Sequence, residues 1–532
     1  MHDRLPADIK AYHQRTKHAS SRYALGPAFL DWDSQPDPFR RFDGAPKRRL
    51  PLGLDRATPG FATLDQVAAQ PLDAGSLGLF LELALGLSAW KEAGGSRWAL
   101  RNNPSSGNLH PTEGWVVLPP LDGIGAGPAL YHYSPLEHAL EERHRLDALP
   151  ATLLPGEFLL ALSSVPWREA WKYGERAFRY CQHDAGHALA ASTYAGACLG
   201  WRVRALACPG DDALAALLGL GRDDSSHRYE REHPDLVALV SPSRAEEISL
   251  EPVGGDFLGA ANRLGEDHEP WPAVDQALKL THRPPSAAPP PMSIRQPDLP
   301  ANAVPTAAVI RHRRSAQRMD GETGIPRSAF FRLLARTLPD PARVPWGAFP
   351  WPPRLALMLF VHRVEGLSPG LYALIRDPGS LDRLRRDMES DFAWTPVEDC
   401  PLPLFLLQDG DVTRLASHLS CLQGIAGQGA FSLGMLADFD RTIAEEGAWA
   451  YRRLFWEAGM IGQVLYLEAT AAGLSGTGIG CYFDDEVHDL LGLPAEGGNW
   501  QSLYHFTVGG ALEDARIATK PAYAHLKEDA GA

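Results

Sequence analysis

The sequence predicts an α+β protein in which one fold is written twice along a chain of 532 residues. Three observations predict it. Residues 174–220 align without a gap on residues 447–493 at a constant offset of 273, with 13 of 47 positions identical, where unrelated chains would share roughly three. Both halves mix stretches of helical period with short apolar runs of strand length. Between them lies a proline-rich stretch, 283–305, whose missing backbone donors and extended preference argue against core. The chain is too long for one hydrophobic core. The division that follows is a first domain over 1–262, a joining segment over 263–305, partly ordered at best, and a second domain over 306–532.

Trp115 to Leu118 and Phe158 to Ser163 read as strands, and 127–146 reads as strand, turn and helix. Arg176 to Leu199 places Phe178, Cys181, Ala185, Ala188, Leu189 and Ser192 at three- and four-residue steps, a helical period. In the second half Leu355 to Val361, Leu404 to Gln408 and Tyr504 to Val508 read as strands, and 368–388 again as strand, turn and helix. Ala450 to Ala472 spreads Leu454, Phe455, Ala458, Ile461, Val464, Leu465 and Leu467 around most of a helix. Such a helix must be covered on most faces, which predicts a central helix packed between the halves.

A net charge of −14 gives no general attraction to nucleic acid or anionic lipid. No apolar run reaches about 18 residues and the N-terminus lacks an apolar signal stretch, so the reading is a soluble, cytoplasmic protein. The six cysteines show no CxxC spacing and read as buried thiols. His138 with His144, and His227 with His233, lack metal-ligand spacing on one face, and no metal is expected. No dinucleotide fingerprint follows a predicted strand.

Three segments could hold a ligand. Residues 101–115 carry Pro104, Ser105, Ser106 and Asn108 just before a strand, several donors in one turn suited to a planar heterocycle. The second half has no serine or asparagine in that place. It opens instead with Arg311, Arg313, Arg314, Ser315, Gln317 and Arg318, a cluster of forked donors and charge suited to phosphate. It also has Gly476, Gly478 and Gly480 alternating along Ser475 to Gly480, where the first half reads Arg202 to Ala207 without glycine.

An arginine-arginine-serine opening, a proline-serine-serine-x-asparagine turn and a glycine-rich strand after a buried helix together resemble the FMN-dependent nitroreductase superfamily. Ala170 to Tyr180, Asp184 to His187 and Val361 to Tyr372 are similar to its SagB/ThcOx-type branch, the azoline dehydrogenases. The resemblance implies a nitroreductase-like fold duplicated in one chain, an intrachain pseudo-dimer. FMN would lie between the halves, on Arg313, Arg314, Ser315, Gln317, Gly476, Gly478, Ile479 and Gly480 from the second and on Pro104, Ser105, Ser106 and Asn108 from the first. The reciprocal site lacks both the arginine pair and the serine turn, so one FMN per chain is expected. Arg318 stands as a substitute for the second arginine that the family places where this chain has Gln317.

The same resemblance implies a catalytic pair, Lys172 and Tyr173, where the second half has Glu445 and Glu446. A tyrosine acting as base at neutral pH needs its pKa lowered by roughly three units, about 4 kcal/mol, part of which a nearby lysine cation would supply. Neighbours on a helix diverge, so joint action needs a helix end at 172–173. His110 and His187 are further candidates for ligand contact. The implied function is FMN-dependent dehydrogenation of an azoline or similar heterocycle in a peptide or small molecule. Other enzymes of a peptide-modification pathway are implied partners, and the chain acts as a monomeric pseudo-dimer or a homodimer. The alternatives are a nitro- or quinone reductase driven by NAD(P)H, and a degenerate binding protein without flavin.

Overall fold

The computed structural model describes residues 4–221, 229–244, 246–251, 255–290, 292–300 and 302–528; His227, Pro291 and Ala301 lie outside the described residues. In chain order the first half supplies β1 (Lys47–Arg49), β2 (Leu87–Ala93), β3 (Ser96–Arg101), β4 (Thr112–Leu118), β5 (Ala129–Ser134), β6 (Ala139–Arg145), β7 (Phe158–Ser164), β8 (Arg202–Ala205) and β9 (His233–Ser241). The second supplies β10 (Leu355–Val361), β11 (Gly370–Leu374), β12 (Thr395–Pro396), β13 (Leu404–Asp409), β14 (Phe431–Asp438), β15 (Ser475–Ile479), β16 (Trp500–Gly509) and β17 (Ala518–Lys520). Two seven-stranded sheets result, ordered β1-β6-β5-β4-β7-β9-β8 and β12-β13-β11-β10-β14-β16-β15. From the second strand of each list onward the two orders correspond position for position, so one topology occurs twice.

The helices that matter for the interface are α1 (Ile9–Arg15), α2 (Pro166–Tyr173), α3 (Ala177–Ala197), α4 (Pro272–Leu280) and α5 (Ala450–Ala471). Two central helices, not one, pack between the halves: all 21 residues of α3 are buried, as are most of α5. They cross where the repeat keeps a glycine in both copies. A Cβ on Gly186 would lie 2.2 Å from the Trp456 carbonyl oxygen, and one on Gly459 would lie 2.1 Å from that of His183. Trp456 and His183 are themselves related by the offset of 273. Further identical positions pair across the halves in the same reciprocal way. Arg179 meets Asp484 at 2.9 Å and Arg452 meets Asp211 at 2.6 Å. Identity in the repeat therefore marks a two-fold interface made of its own two copies.

The arm before each half is repeated too, at an offset of 265. Thr16 ends α1 with its hydroxyl on the Tyr12 carbonyl, as Thr281 ends α4 on that of Ala277. The His18 carbonyl accepts from the Asp484 amide, as the Arg283 carbonyl accepts from that of Asp211. Lys17 pairs with Asp485 and His282 with Asp212. Part of the segment read as a joining segment is thus the opening arm of the second copy, which begins near Pro272.

Within 127–146 the expected helix is instead the strand β6, paired with β5 and β1. The helix-like spacing is overridden by a buried register, in which His132 on β5 sits between Glu141 of β6 at 3.0 Å and Glu113 of β4 at 3.1 Å. The same reading holds in the second half, where Leu381–Asp387 is helical. A third sheet, β17-β2-β3, carries the C-terminal strand of the second half onto the hairpin of the first. Among the described residues no helix is long and apolar enough to cross a membrane.

Candidate active site

One cavity of about 560 Å³ opens between the halves. Pro104, Ser105, Ser106 and Asn108 line it from the first half, and Arg313, Arg314, Ser315, Gln317, Gly478, Ile479 and Gly480 from the second. Gln317 lines it where Arg318 does not, and Gly476 supports it from behind, its carbonyl accepting from the Ala316 amide at 3.1 Å. Both suggested histidines, His110 and His187, also line it, as do Asp184, Tyr180 and Tyr504. A wall that sequence reasoning missed comes from 511–519 of the C-terminal segment and from Lys91 on β2, whose Nζ meets the Thr519 hydroxyl at 2.6 Å. Only the pairing of β17 with β2 brings these together, and no local sequence signal announces it.

The serine turn is held in an unusual backbone. Gly107, Asn108 and His110 all have φ near +55 to +60°, a region costly for residues with a Cβ. The turn is fixed by its own polar groups. The Ser105 hydroxyl accepts from the His110 amide at 2.8 Å, Asn108 donates to the Ala99 carbonyl at 2.9 Å, and the Ser106 amide donates to Asp184 at 3.2 Å. Behind it lies a second carboxyl, Glu169, within 3.5 Å of the Ser105 hydroxyl. Burial pushes the Asp184 carboxyl up to about 7, against the hydrogen bonds of Ser105 and Ser106. Burial and then the Asp184 charge push Glu169 well above the usual range. Each carboxyl is thus harder to ionise than a free one, and Glu169 the more so while Asp184 is charged.

Across the cavity, Arg313 is 3% exposed and donates once, from Nη2 to the Arg101 carbonyl at 3.0 Å. Its Nε and Nη1 find no partner among the described residues, and burial lowers its pKa. Arg314 is held by the carbonyls of Arg311 and Ser88. Arg311 is spent on Glu82 at 2.6 Å and is structural. The Tyr466 hydroxyl accepts from the Gly478 amide at 2.9 Å and bonds the Ser315 hydroxyl at 2.8 Å, with either oxygen able to donate. The glycines of β15 serve the protein's own rings: a Cβ would strike Phe506 at Gly476, Tyr504 at Gly478 and Tyr180 at Gly480.

Lys172 and Tyr173 end α2, and Gly174, at φ +53°, turns the chain away. The helix end lets both side chains reach the serine turn, where a Cβ on Gly107 would lie 2.6 Å from the Tyr173 hydroxyl and 3.2 Å from Lys172 Nζ. The electrostatics reverse the expected division of labour. Burial, with Glu169 and Tyr180, pushes the Tyr173 hydroxyl well above its usual range, opposite to what a base needs. Burial lowers the Lys172 ammonium, opposed by Glu169.

At the position related by the repeat, the counterparts of Lys172, Tyr173 and Asp184 are held in ion pairs. Glu445 and Glu446 pair with Arg354 at 2.6 and 3.2 Å, and Glu446 also with Arg453. Glu457, the counterpart of Asp184, pairs with Arg376 and accepts from the Arg354 amide at 2.9 Å. Arg283 of the second copy's arm lies over the rings of Trp449 and Trp351, at 4.7 and 5.3 Å, and donates to the carbonyl of Ala207, the counterpart of Gly480. The first position therefore holds unpartnered buried groups on several residue types (Arg313 Nε and Nη1, Asp184 Oδ2, His110 and His187 Nδ1), while at the second the carboxylates are ion-paired and single nitrogens of Arg283, Arg354 and Arg376 lack partners among the described residues.

Residues 384–510 match the Nitroreductase family. The whole chain superposes on a crystal structure of a protein described as a nitroreductase from Anabaena variabilis, with a TM-score of 0.69 at 21% identity, covering 95% of this chain and 100% of that one. Shorter matches include a protein described as a nitroreductase from Ralstonia eutropha, at 17% identity over 42% of this chain and 89% of that one with a TM-score of 0.29. Another is the E. coli microcin synthetase McbBCD complex with truncated pro-MccB17 bound, at 16% identity over 38% and 70% with a TM-score of 0.29. No curated protein matches the chain. The fold is nitroreductase-like and duplicated within one chain.

Proposed function

We propose that this chain is an FMN-dependent oxidoreductase with one flavin site, and that it dehydrogenates an azoline or similar heterocycle. The observation that carries the proposal is the contrast between the two related positions. One presents a buried guanidinium with two unused donors, a serine turn and polar atoms awaiting partners. The other sets its carboxylates in ion pairs with Arg354, Arg376 and Arg453 and is covered by Arg283 over Trp351 and Trp449. An anionic group near Arg313, Arg314 and Lys91 and a planar group near Ser105, Ser106 and Asn108 match what the orphaned atoms lack.

Bound FMN would supply the two-electron acceptor for the hydride. The chain's own residues handle the proton. Burial lowers the Lys172 ammonium and raises the Tyr173 hydroxyl, so Lys172, at the serine turn, is the group assigned to take the proton from the substrate carbon and Tyr173 the donor that orients the heterocycle. Glu169, beside Lys172, and Asp184 form the onward store for that proton.

Reconstitution with FMN tests the reading: absorbance near 450 nm should give a flavin-to-protein ratio near one, and a ratio near two or no uptake would end it. Under anaerobic conditions an azoline-bearing peptide should bleach the flavin. Rapid bleaching by NADPH, with none by the peptide, would assign the chain to nitro- or quinone reduction instead.

A further inference from the structure

Four of the six cysteines are not fully buried, and two of these sit together at the mouth of the cavity. Cys481 directly follows Gly480 at the end of β15 and lines the cavity. Cys421 lies in a surface loop that is stitched to the Cys481 segment on both sides. The Phe483 amide donates to the Leu419 carbonyl at 2.8 Å, and the Gln423 side chain donates to the Cys481 carbonyl at 3.1 Å. These two bonds bracket Cys421 and hold its segment beside that of Cys481. Cys421 and Leu422 both adopt left-handed φ, +54° and +61°, which turns the loop back toward β15 and leaves the Leu422 side chain 69% exposed. Buried structural thiols are inert, whereas these two are partly exposed and lie on segments held side by side.

We propose that Cys421 and Cys481 are a thiol-modification site that forms a reversible intramolecular disulfide by exchange with a low-molecular-weight disulfide. The Cys481 thiolate attacks one sulfur of glutathione disulfide, forming a mixed disulfide and expelling one glutathione thiolate. The Cys421 thiolate then attacks Cys481 Sγ, the Sγ–Sγ bond forms and the second glutathione leaves. The two cysteine protons end on the two glutathiones, which take up the two electrons. Cys481 is the entry point because the Cys421 thiol and then the Arg176 guanidinium, which donates to the Gly480 carbonyl at 3.0 Å, favour its thiolate against burial. The bridge ties the loop bearing Gln423, itself a lining residue, to the end of β15.

The test uses the purified full chain, equilibrated in graded ratios of reduced to oxidised glutathione, alkylated and mapped by peptide mass spectrometry. The expected result is loss of two of the six thiols together, with a peptide pair joined through Cys421 and Cys481 and lighter by two hydrogens. Cys421→Ser should convert the bridge into a stable glutathione adduct on Cys481, and Cys400→Ser should leave the bridge intact. Retention of both thiols at every ratio, or separate adducts on both cysteines of the wild-type chain, would overturn the proposal. Because the readout is covalent and needs no flavin, it stands or falls apart from the proposed activity.

Discussion

Replacing Arg313 with methionine separates a ligand-binding role from a structural one, because the first predicts little change in the unliganded chain and the second a clear loss of stability. In the unliganded chain the guanidinium is buried, makes one hydrogen bond to the Arg101 carbonyl and leaves Nε and Nη1 without partners. Removing that bond costs about 1 kcal/mol, and losing the cation 5.1 Å from the Tyr466 ring centroid costs about 1–2 kcal/mol. Relief of a buried, under-satisfied charge returns about 1–4 kcal/mol. The net change in apo stability should therefore lie within about 2 kcal/mol of zero. For a phosphate-bearing ligand the two free donors are charge-assisted, about 1.5–3 kcal/mol each, so FMN affinity should fall by about two to four powers of ten. Denaturant unfolding of apo protein and FMN titration by fluorescence quenching measure the two quantities on one preparation. FMN binding as tight as wild type, or an apo chain destabilised by more than about 2 kcal/mol, would refute the reasoning.

Lys172→Arg should abolish the limb of the pH–rate profile that rises as the lowered lysine loses its proton, because an arginine holds its charge; Tyr173→Phe should keep that limb and reduce rate through orientation alone. Gly459→Ala should destabilise the chain by about 1–3 kcal/mol in denaturant unfolding despite the better helix propensity of alanine, since its Cβ would lie 2.1 Å from the His183 carbonyl oxygen; a stabilised variant would contradict the crossing. Burial penalises the Asp484 carboxylate, but Arg176 and Arg179 overcome this and hold it far below the usual range. Its share of stability is therefore present above pH 4 and lost as the solution becomes more acidic; Asp484→Asn should flatten that loss in acid unfolding curves.

Much of the interface was legible as identity before its cause was known. Gly186, Arg179 and Asp211 are identical with Gly459, Arg452 and Asp484 because each touches the other copy, which an alignment records without explaining. The strands His233–Ser241 and Phe431–Asp438 were not legible, since strands buried on both faces show no alternation. The opening arm of the second copy escaped because Thr16 and Thr281 are the one identity across ten aligned positions, too little signal beside the proline run. In the site, Arg313, Ser105 and Lys172 were readable as residue types, and Asp184 and His187 as part of a family-like segment. Glu169 and Tyr466 were not, because each acts through a neighbour fixed only by tertiary packing.

The pattern of what the two copies share follows from the geometry of fusion. A site between two copies draws its arginine-serine opening and glycine strand from one and its serine turn from the other. Loss of the glycines in Arg202 to Ala207 and of the serine turn at 346–354 therefore strikes a single site and leaves its partner whole. Interface residues have no such freedom, because Arg179 with Asp484 and Arg452 with Asp211 hold the halves together whichever site survives. Once one site is dispensable, its buried polar groups must still be satisfied. The chain satisfies them with residues it already had: Glu457 turns to Arg376, Glu445 and Glu446 to Arg354, and Arg283 from the second arm closes over Trp351 and Trp449. The carboxylates of the second position thus find partners within the chain, whereas Arg313 and Asp184 keep unpartnered atoms facing the cavity.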